Sequence, residues 1–170
     1  VNDGDNIGTI NWFADDGTDV GNYVATIHAE IDGTPGSNDT PGALVFSTTA
    51  DGANSVTERM RIDDSGNVGI GETSPLATLH IKQGDSGLSS LNAAAHHLFL
   101  EDTGANGPGI TFASGTTSNC TLAFGDSDSN YQGVILYDNS ADALKFGTNG
   151  GTERMRITSS GVTELYGPGS

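Results

Sequence analysis

A six-residue segment, TERMRI, occurs twice in this chain, at residues 57–62 and again at residues 152–157. In both copies a Ser-Gly pair follows at the same distance, at Ser65-Gly66 and at Ser160-Gly161. Four of the 6 Lys and Arg residues are the arginines of these two segments, whereas the chain has 22 Asp and Glu residues. The repeat predicts two related modules, and it predicts that the repeated strand is where the positive charge is used.

The similarity extends upstream of the hexapeptide and predicts a β-hairpin. Residues 43–48 (ALVFST) and residues 143–148 (ALKFGT) share the pattern A-L-x-F-x-T. In the second copy only Asn-Gly-Gly separates this segment from the hexapeptide, which is typical of a tight turn between two strands. Because side chains alternate along a strand, Met60 and Ile62 should share one face, and Arg59 and Arg61 should project together from the other.

Weaker matches further upstream set the extent of the two modules. Residues 9–12 (TINW) resemble residues 121–124 (TLAF), and an acidic turn with an Asn-Tyr pair follows each of them. An internal repeat of this size is typical of an array architecture. We therefore expect two domains, a first module with its glycine-rich connector at residues 1–82 and a second module at residues 83–170.

The apolar residues lie in short alternating runs that Gly, Asn, Asp and Ser interrupt, a pattern typical of half-buried strands and turns. Leu, Ile, Val and Phe make up only about a fifth of the chain, so each module has little apolar mass with which to stand alone. With 25 Gly residues there is little sign of long helices, and only residues 88–95 favour a short one. The sequence predicts an all-β fold and an obligate oligomer.

The formal net charge of −16 argues against several kinds of partner. Phosphate groups are bound by clustered Lys and Arg, so we expect no nucleic-acid partner and no binding to anionic membranes. No segment approaches the roughly 18 apolar residues of a membrane span, so membrane insertion is not expected.

Because the chain begins at Val1 rather than Met, we expect a fragment of a longer protein. The single Cys120 excludes an intrachain disulfide and is expected to be a small buried residue.

A glycine-rich connector, GNVGIG, follows the first hexapeptide at residues 66–71. On a strand, Val68 and Ile70 would face one way, and Gly69 and Gly71 the other. Glycine on a strand face indicates that another backbone approaches closely. In a thin fibre wound from several chains, that backbone would belong to a neighbouring subunit. The alternative is a surface loop.

Two stretches of the chain resemble a known family. Residues 57–81 (TERMRIDDSGNVGIGETSPLATLHI) are similar to the repeat found in tail fibres and tailspikes of tailed bacteriophages. Residues 124–158 (FGDSDSNYQGVILYDNSADALKFGTNGGTERMRIT) resemble the segment that often precedes that repeat in the same proteins. The second copy departs from the pattern after Gly161, where VTELY replaces the expected Asn-Val-Gly-Ile-Gly.

This resemblance implies an elongated, homotrimeric, β-rich fibre in the virion tail that carries or contains receptor-binding parts. Its partners would be two further copies of the chain and a glycan or protein on the host cell surface. Such proteins often end in an endosialidase-type intramolecular chaperone, and no segment of this chain resembles that chaperone. The resemblance leaves open whether the strands form a triple-stranded β-helix or three sandwiches side by side.

The arginines of the repeat are candidates for ion pairs between subunits. A planar guanidinium binds a carboxylate bidentately, and a charge left unmatched at an interface is costly. We therefore expect these arginines to fix the register between subunits; an exposed, solvated charge pair is the alternative. The four arginines are Arg59, Arg61, Arg154 and Arg156, and the carboxylates considered for the first module are Asp15, Asp16, Asp51, Asp63 and Asp64.

The histidines indicate neither a catalytic site nor a cofactor. His28 and His80 lie alone in alternating apolar runs, where a structural histidine with satisfied hydrogen bonds is expected. His96 and His97 are adjacent, so on a strand their rings would point to opposite faces. Only symmetry mates on a trimer axis would then let one of them bind a transition metal. We expect no enzyme activity, no cofactor and no metal.

An acidic segment at residues 126–130 (DSDSN) begins like a calcium loop. The loop fails at its sixth and twelfth positions, where Tyr131 and Tyr137 stand in place of Gly and Glu. An acidic β-turn is the better interpretation, and a calcium site of another kind is the alternative.

Exposed aromatic side chains are weak candidates for receptor contacts, because carbohydrate sites favour aromatic platforms. The candidates are Trp12, Tyr23, Tyr131 and Tyr166.

Two other functions remain as alternatives to a fibre module. One is a secreted, calcium-dependent bacterial adhesin module, and the other is a glycan-degrading tailspike enzyme, for which no pair of carboxylates framed by aromatics gives support.

Overall fold

The structure is a computed structural model that describes residues 1–18 and 21–167, and this part of the chain contains twelve β-strands and no helix. The predicted all-β fold is confirmed. The chain divides into two compact units, Val1–Gly109 and Ile110–Ser170, each built around one sheet.

The first unit is a seven-stranded sheet whose strands follow one another in sequence order. Its strands are β1 (Asn6–Ala14), β2 (Asn22–Ile31), β3 (Gly42–Thr49), β4 (Val56–Ile62), β5 (Val68–Ile70), β6 (Leu79–Lys82) and β7 (Leu98–Glu101). The first five strands pair antiparallel, and β5, β6 and β7 pair parallel. The sequence predicts a division of the chain after residue 82, whereas the pairing of β7 with β6 carries the first sheet on to Glu101.

The second unit is a five-stranded antiparallel meander, again in sequence order. Its strands are β8 (Asn119–Phe124), β9 (Gly133–Asp138), β10 (Ala143–Thr148), β11 (Thr152–Ile157) and β12 (Thr163–Leu165). The hairpin predicted from the Asn-Gly-Gly link is present between β10 and β11. Asn149, Gly150 and Gly151 all take positive φ angles there, of 54°, 74° and 80°, which Asn and Gly adopt at low cost.

The hexapeptide forms a β-bulge at the same place in both units. Ser47 pairs with Glu58 and Phe46 with Met60, which leaves Arg59 as the extra residue. In the second unit Arg154 is the extra residue between Glu153 and Met155. A bulge reverses the alternation of side chains, so the expectation that both arginines of a hexapeptide project together is wrong. Glu58 and Arg61 share a face instead, as the next section describes.

Each sheet has one face that is almost entirely apolar. In the first unit a row of paired residues crosses all seven strands: Ile10, Ile27, Phe46, Met60, Ile70, Ile81 and Leu100. The next row is Ala29, Leu44, Ile62, Val68, Leu79 and Leu98. The second unit repeats the pattern with Leu122, Ile135, Phe146, Met155 and Leu165. These rows define what we call the apolar face of each sheet.

The glycines of the connector lie against backbone of their own chain. A Cβ atom on Gly69 would stand 2.2 Å from the carbonyl oxygen of Glu72, and one on Gly71 would stand 2.2 Å from that of Lys82. The close backbone approach predicted for these glycines is therefore present. The neighbouring-subunit origin expected for it is wrong for these contacts, since Glu72 of the crossover from β5 to β6 and Lys82 of β6 supply them.

Residues 88–95 form no helix, contrary to the sequence prediction. Side chains in this segment bond to nearby backbone instead: Ser86 Oγ accepts the Leu88 N–H, and Asn92 Oδ1 accepts the Ala94 N–H. Such local bonds compete with helical hydrogen bonding.

Candidate functional site

The opposite face of each sheet carries ion pairs, and Arg61 is the central cation of the first unit. Its guanidinium binds Glu58 bidentately, with N–O distances of 2.8 and 3.0 Å, and donates to Glu30 at 3.0 Å. Asp32 lies 3.8 Å away. Arg61 is only 9% exposed, and the hydrogen bonds that it donates to Glu58 raise the pKa of Arg61 above its ordinary value despite burial. The bulge makes this possible, because it puts Glu58 and Arg61 on one face.

The second unit reproduces the pair with its own hexapeptide. Arg156 donates two hydrogen bonds to Glu153. One joins Nε to Oε1, and the other joins Nη2 to Oε2 at 2.8 Å. Lys145 adds a cation on this face and contacts Asp138 at 2.8 Å and Glu153 at 3.7 Å. The pairs of both units lie within one chain.

The first arginine of each hexapeptide has a different environment. Arg59 donates to Thr48 Oγ1 at 3.0 Å, and Arg154 donates to Thr148 Oγ1 at 3.2 Å. Thr48 follows Leu44 and Phe46 at alternating positions and so lies on the apolar-face side of its sheet. Of the four arginines considered as contacts between subunits, Arg59 and Arg154 thus reach the apolar-face side, whereas Arg61 and Arg156 bind carboxylates of their own unit.

Much of the apolar face is exposed to solvent. On the first sheet Leu44 is 39% exposed, although its neighbours Val45 and Ala43 on the opposite face are almost fully buried. In the second unit a cavity of about 460 Å³ opens on this face and is lined by Phe112, Leu122 and Ile135, with the half-buried Cys120 in its wall. Further residues of the apolar faces with at least a third of their surface exposed are Ile10, Trp12, Ile62, Ile70, Ile81, Leu98, Phe124, Tyr137 and Leu165. Contiguous exposed apolar surface of this kind marks an interaction site.

A buried charge cluster joins the last three strands of the first unit. His80, 1% exposed, lies with its Nε2 atom 3.0 Å from Glu101, while its Nδ1 atom accepts the Leu76 N–H at 3.4 Å. Lys82 binds Glu72 at 2.6 Å and lies 4.0 Å from Glu101. As expected for a structural histidine, both ring nitrogens of His80 have hydrogen-bond partners.

The same cluster has the ligand types of a metal site, but the proton on the His80 ring is in the wrong place for metal binding. Ligand atoms of Glu72, His80 and Glu101 lie within 4.8 Å of one another. Since Nδ1 accepts a hydrogen bond, Nε2 carries the proton that faces Glu101 and has no lone pair to offer. The Lys82 ammonium already supplies positive charge beside both carboxylates. The arrangement is that of an ion-pair cluster.

The carboxylates of these clusters predict loss of stability in acid. Hydrogen bonds from Ser86 hold the pKa of Glu101 below its ordinary value, and Arg156 does the same for Glu153. A carboxyl whose pKa is depressed by folding stabilises the protein above its unfolded pKa of about 4.3, and that stability is lost as pH falls through the folded pKa. We expect a melting temperature that is flat from about pH 8 to pH 5 and falls below about pH 4.

Calorimetry or circular dichroism at fixed protein concentration measures this profile. Glu101→Gln and Glu153→Gln should each melt lower than the parent at pH 7 and have a flatter acid limb. A parent melting temperature that is unchanged at pH 3 would contradict the prediction.

The remaining sequence candidates occupy mixed environments. His96 and His97 lie before β7, and their rings pack 4.4 Å apart, so the expectation of opposite faces is wrong. At the acidic segment, Asp126 Oδ1 accepts the N–H groups of Asp128 and Ser129. These bonds stabilise the carboxylate and lower the pKa of Asp126. The geometry is that of an acidic turn.

Among the aromatic candidates for receptor contacts, Trp12 lies on the apolar face. The Tyr131 ring packs over Gly151, where an added Cβ would stand 2.2 Å from it. Tyr166 lies below the Arg156 guanidinium at 5.6 Å and donates its hydroxyl to Glu164. Tyr23 is 40% exposed, with its ring 4.7 Å from that of Phe13. Tyr23 lies beside a polar groove on the ion-paired side of the first sheet, and Tyr166 lines a smaller polar groove with Thr152, Glu153 and Arg156.

No family model and no curated protein matches the chain, and no helix in the described residues is long and apolar enough to cross a membrane. Among solved structures the chain is similar to the carboxy-terminal domain of the bacteriophage T5 L-shaped tail fibre, with a TM-score of 0.41 and 12% identity over 100% of this chain and 82% of that one. It is also similar to the same domain with its intramolecular chaperone, with a TM-score of 0.42 and 11% identity over 99% of this chain. The chain spans 56% of that second structure. Both structures are of a tail fibre, the class of protein that the hexapeptide repeat resembles.

Proposed function

We propose that the chain is a structural and adhesive module of a phage tail fibre, that it assembles as a homotrimer through its apolar faces, and that it helps to present or form the host receptor-binding part of the virion. The observation that carries the proposal is that each sheet has one almost entirely apolar face, much of which is exposed. A fully buried leucine or isoleucine contributes about 1.5–3 kcal/mol relative to an exposed one. Because such residues form rows across every strand, burying the apolar face in an assembly is strongly favourable in free energy.

Further copies of the same chain are the occupant that fits these faces best. Every copy offers the same rows of apolar residues, so two or three copies placed around an axis cover each other's faces. The ion-paired faces then point outward, which suits a chain with a net charge of −16. A threefold rather than twofold axis is what the resemblance to tail-fibre repeats implies. In such an assembly Arg59 and Arg154 lie nearest the interface, because they reach the apolar-face side.

The proposal assigns the protein a structural rather than catalytic role. The pair with the geometry of an acid–base couple, His80 and Glu101, is almost fully buried. That burial disfavours contact of the pair with a substrate in solution.

Light scattering after size exclusion tests the assembly. The chain has a mass of 17.4 kDa, and the proposal expects a single species of three times that mass that resists heating and SDS. Addition of a calcium chelator should leave this species unchanged; conversion to smaller species by the chelator would favour the adhesin alternative. A folded monomer at micromolar concentration would rule out self-assembly, and a complex that forms only with another virion protein would assign the apolar faces to that partner.

A further inference from the structure

A polar groove lies on the ion-paired side of strands β1, β2 and β3 in the first unit. Its volume is about 300 Å³, and its walls include Asn11, Tyr23, Thr26, His28 and Ser47. The volume lies at the lower end of the range of small-molecule sites, about 300–1,000 Å³. None of these five side chains carries a formal negative charge, although the chain as a whole is strongly acidic.

Two largely buried residues present hydroxyl groups to this groove without a protein partner. Thr26 is 7% exposed and Ser47 is 5% exposed, and the two residues pair across β2 and β3. Neither hydroxyl makes a hydrogen bond to any residue that the structure describes, and neither oxygen is sealed from the groove. Buried polar groups are normally hydrogen-bonded. The hydroxyls of Thr26 and Ser47 therefore have unused hydrogen-bonding capacity, which favours a polar ligand in the groove.

The rim of the groove is held in place by the ion pairs of the repeat. Arg61 binds one oxygen of Glu30, and the other oxygen of Glu30 lies 3.2 Å from His28 Nε2. Because a carboxylate only accepts, Nε2 donates this bond, and in the neutral ring Nδ1 is then an acceptor. The second arginine of the hexapeptide thus positions a histidine for ligand contact two strands away.

The second unit shows that the repeat itself does not require these polar groups. Strand pairing makes Ala123 the counterpart of Asn11, and Val134 the counterpart of Thr26. By the same register Leu136 replaces His28, and Gly147 replaces Ser47. The corresponding cavity is smaller, about 180 Å³, and includes Val134 and Leu136 in its walls. All four polar residues are therefore particular to the first unit.

We propose that the polar groove binds one neutral sugar residue of a glycan; that the glycan belongs to the host surface rests on the proposed function. Ring hydroxyls both donate and accept, and so do the hydroxyls of Thr26 and Ser47 and the amide of Asn11. The exposed Tyr23 ring offers an aromatic face for the C–H groups of a pyranose. Glu30 beside the groove and the net charge of −16 disfavour an anionic sugar. An extended peptide would instead add to a sheet edge, and this groove lies on the sheet face.

Saturation-transfer NMR and calorimetric titration of the full chain test this proposal. The probes are the methyl glycosides of glucose, galactose, mannose and N-acetylglucosamine, with the methyl glycoside of sialic acid as the charged comparison. We expect saturable binding of at least one neutral glycoside and weaker binding of the charged one. Amide chemical shifts should move at Thr26 and Ser47 in the unmodified protein and stay fixed at Val134 and Gly147.

Three variants separate the groove from other surfaces. Thr26→Val and Ser47→Ala each remove one hydroxyl at nearly constant shape and should weaken binding about fivefold each. Thr121→Val removes a hydroxyl from the same side of the second sheet and should leave binding unchanged. The proposal is overturned if none of the neutral glycosides binds saturably, or if binding persists undiminished in Thr26→Val/Ser47→Ala with no shift at those amides. A trimeric mass together with no sugar binding would reject the groove and leave the fibre assembly standing.

Discussion

Replacing Leu44 by glutamate is expected to convert the assembled protein to monomers. Leu44 lies in the second apolar row, between Ala29 and Ile62. Covering the 39% of this leucine that is exposed stabilises the assembly by about 1 kcal/mol for each copy, and a buried carboxylate without a partner costs several kcal/mol more. Light scattering at a fixed chain concentration should show the mass fall to 17.4 kDa. Circular dichroism should still show β-structure, because the opposite face keeps its ion pairs.

Leu88→Glu is the matched control for this change. Leu88 is also an exposed leucine of the first unit, but it lies outside the strands. The same substitution there should leave the mass unchanged. If Leu44→Glu stays assembled, or if Leu88→Glu dissociates equally, the apolar face is not the surface that holds the copies together.

Replacing Arg61 by alanine should destabilise the chain by about 3–5 kcal/mol. The substitution removes the one cation that serves Glu58, Glu30 and Asp32 and leaves these carboxylates crowded on a partly buried face. Urea denaturation at a fixed chain concentration measures the loss, since assembly makes apparent stability concentration-dependent. The effect is expected on folding of the first unit rather than on contacts between copies.

The repeat supplies its own controls for Arg61. Arg156 stands at the matching position, but its side chain is 30% exposed, and Lys145 lies beside the same glutamate. Arg156→Ala should therefore destabilise the chain much less than Arg61→Ala does. Arg59→Ala, at the exposed bulge, should cost less than about 1 kcal/mol in chain stability. Equal losses for Arg61→Ala and Arg59→Ala would show that burial and the three carboxylates do not determine the role of the arginine.

Much of the sheet architecture could be predicted because the repeat carries it in local sequence. The A-L-x-F-x-T and TERMRI segments fix two neighbouring strands, and alternation correctly puts Met60 and Ile62 on one face with Leu44 and Phe46. Alternation fails at Arg59, because a bulge adds a residue that no letter of the hexapeptide marks. That single residue changes which arginine is buried, so the expected carboxylate partners were also wrong for Arg61: Glu58, Glu30 and Asp32 bind it.

Features that depend on distant pairing could not be derived from the sequence. His80 meets Glu101 only because β6 and β7 pair in parallel across a loop without regular structure. The polar groove likewise needs β1, β2 and β3 side by side, which brings Asn11, Thr26 and Ser47 together. One available signal for the groove is that aligned positions are polar in the first copy and apolar in the second. That comparison needs the register of β2 and β9, whose sequences share little.

The order of the strands has a consequence for how this protein is made. Each strand pairs with its neighbour in sequence in both sheets, so contacts are local and a sheet can form strand by strand as the chain leaves the ribosome. If the chain assembles as proposed, a finished sheet exposes its apolar rows until further copies bind, and this state is the most prone to nonspecific aggregation. Sixteen net negative charges per chain repel such waiting chains at long range. Only an approach that brings the apolar rows into register recovers enough free energy to overcome that repulsion, so the acidity of the chain acts as a kinetic filter on its assembly.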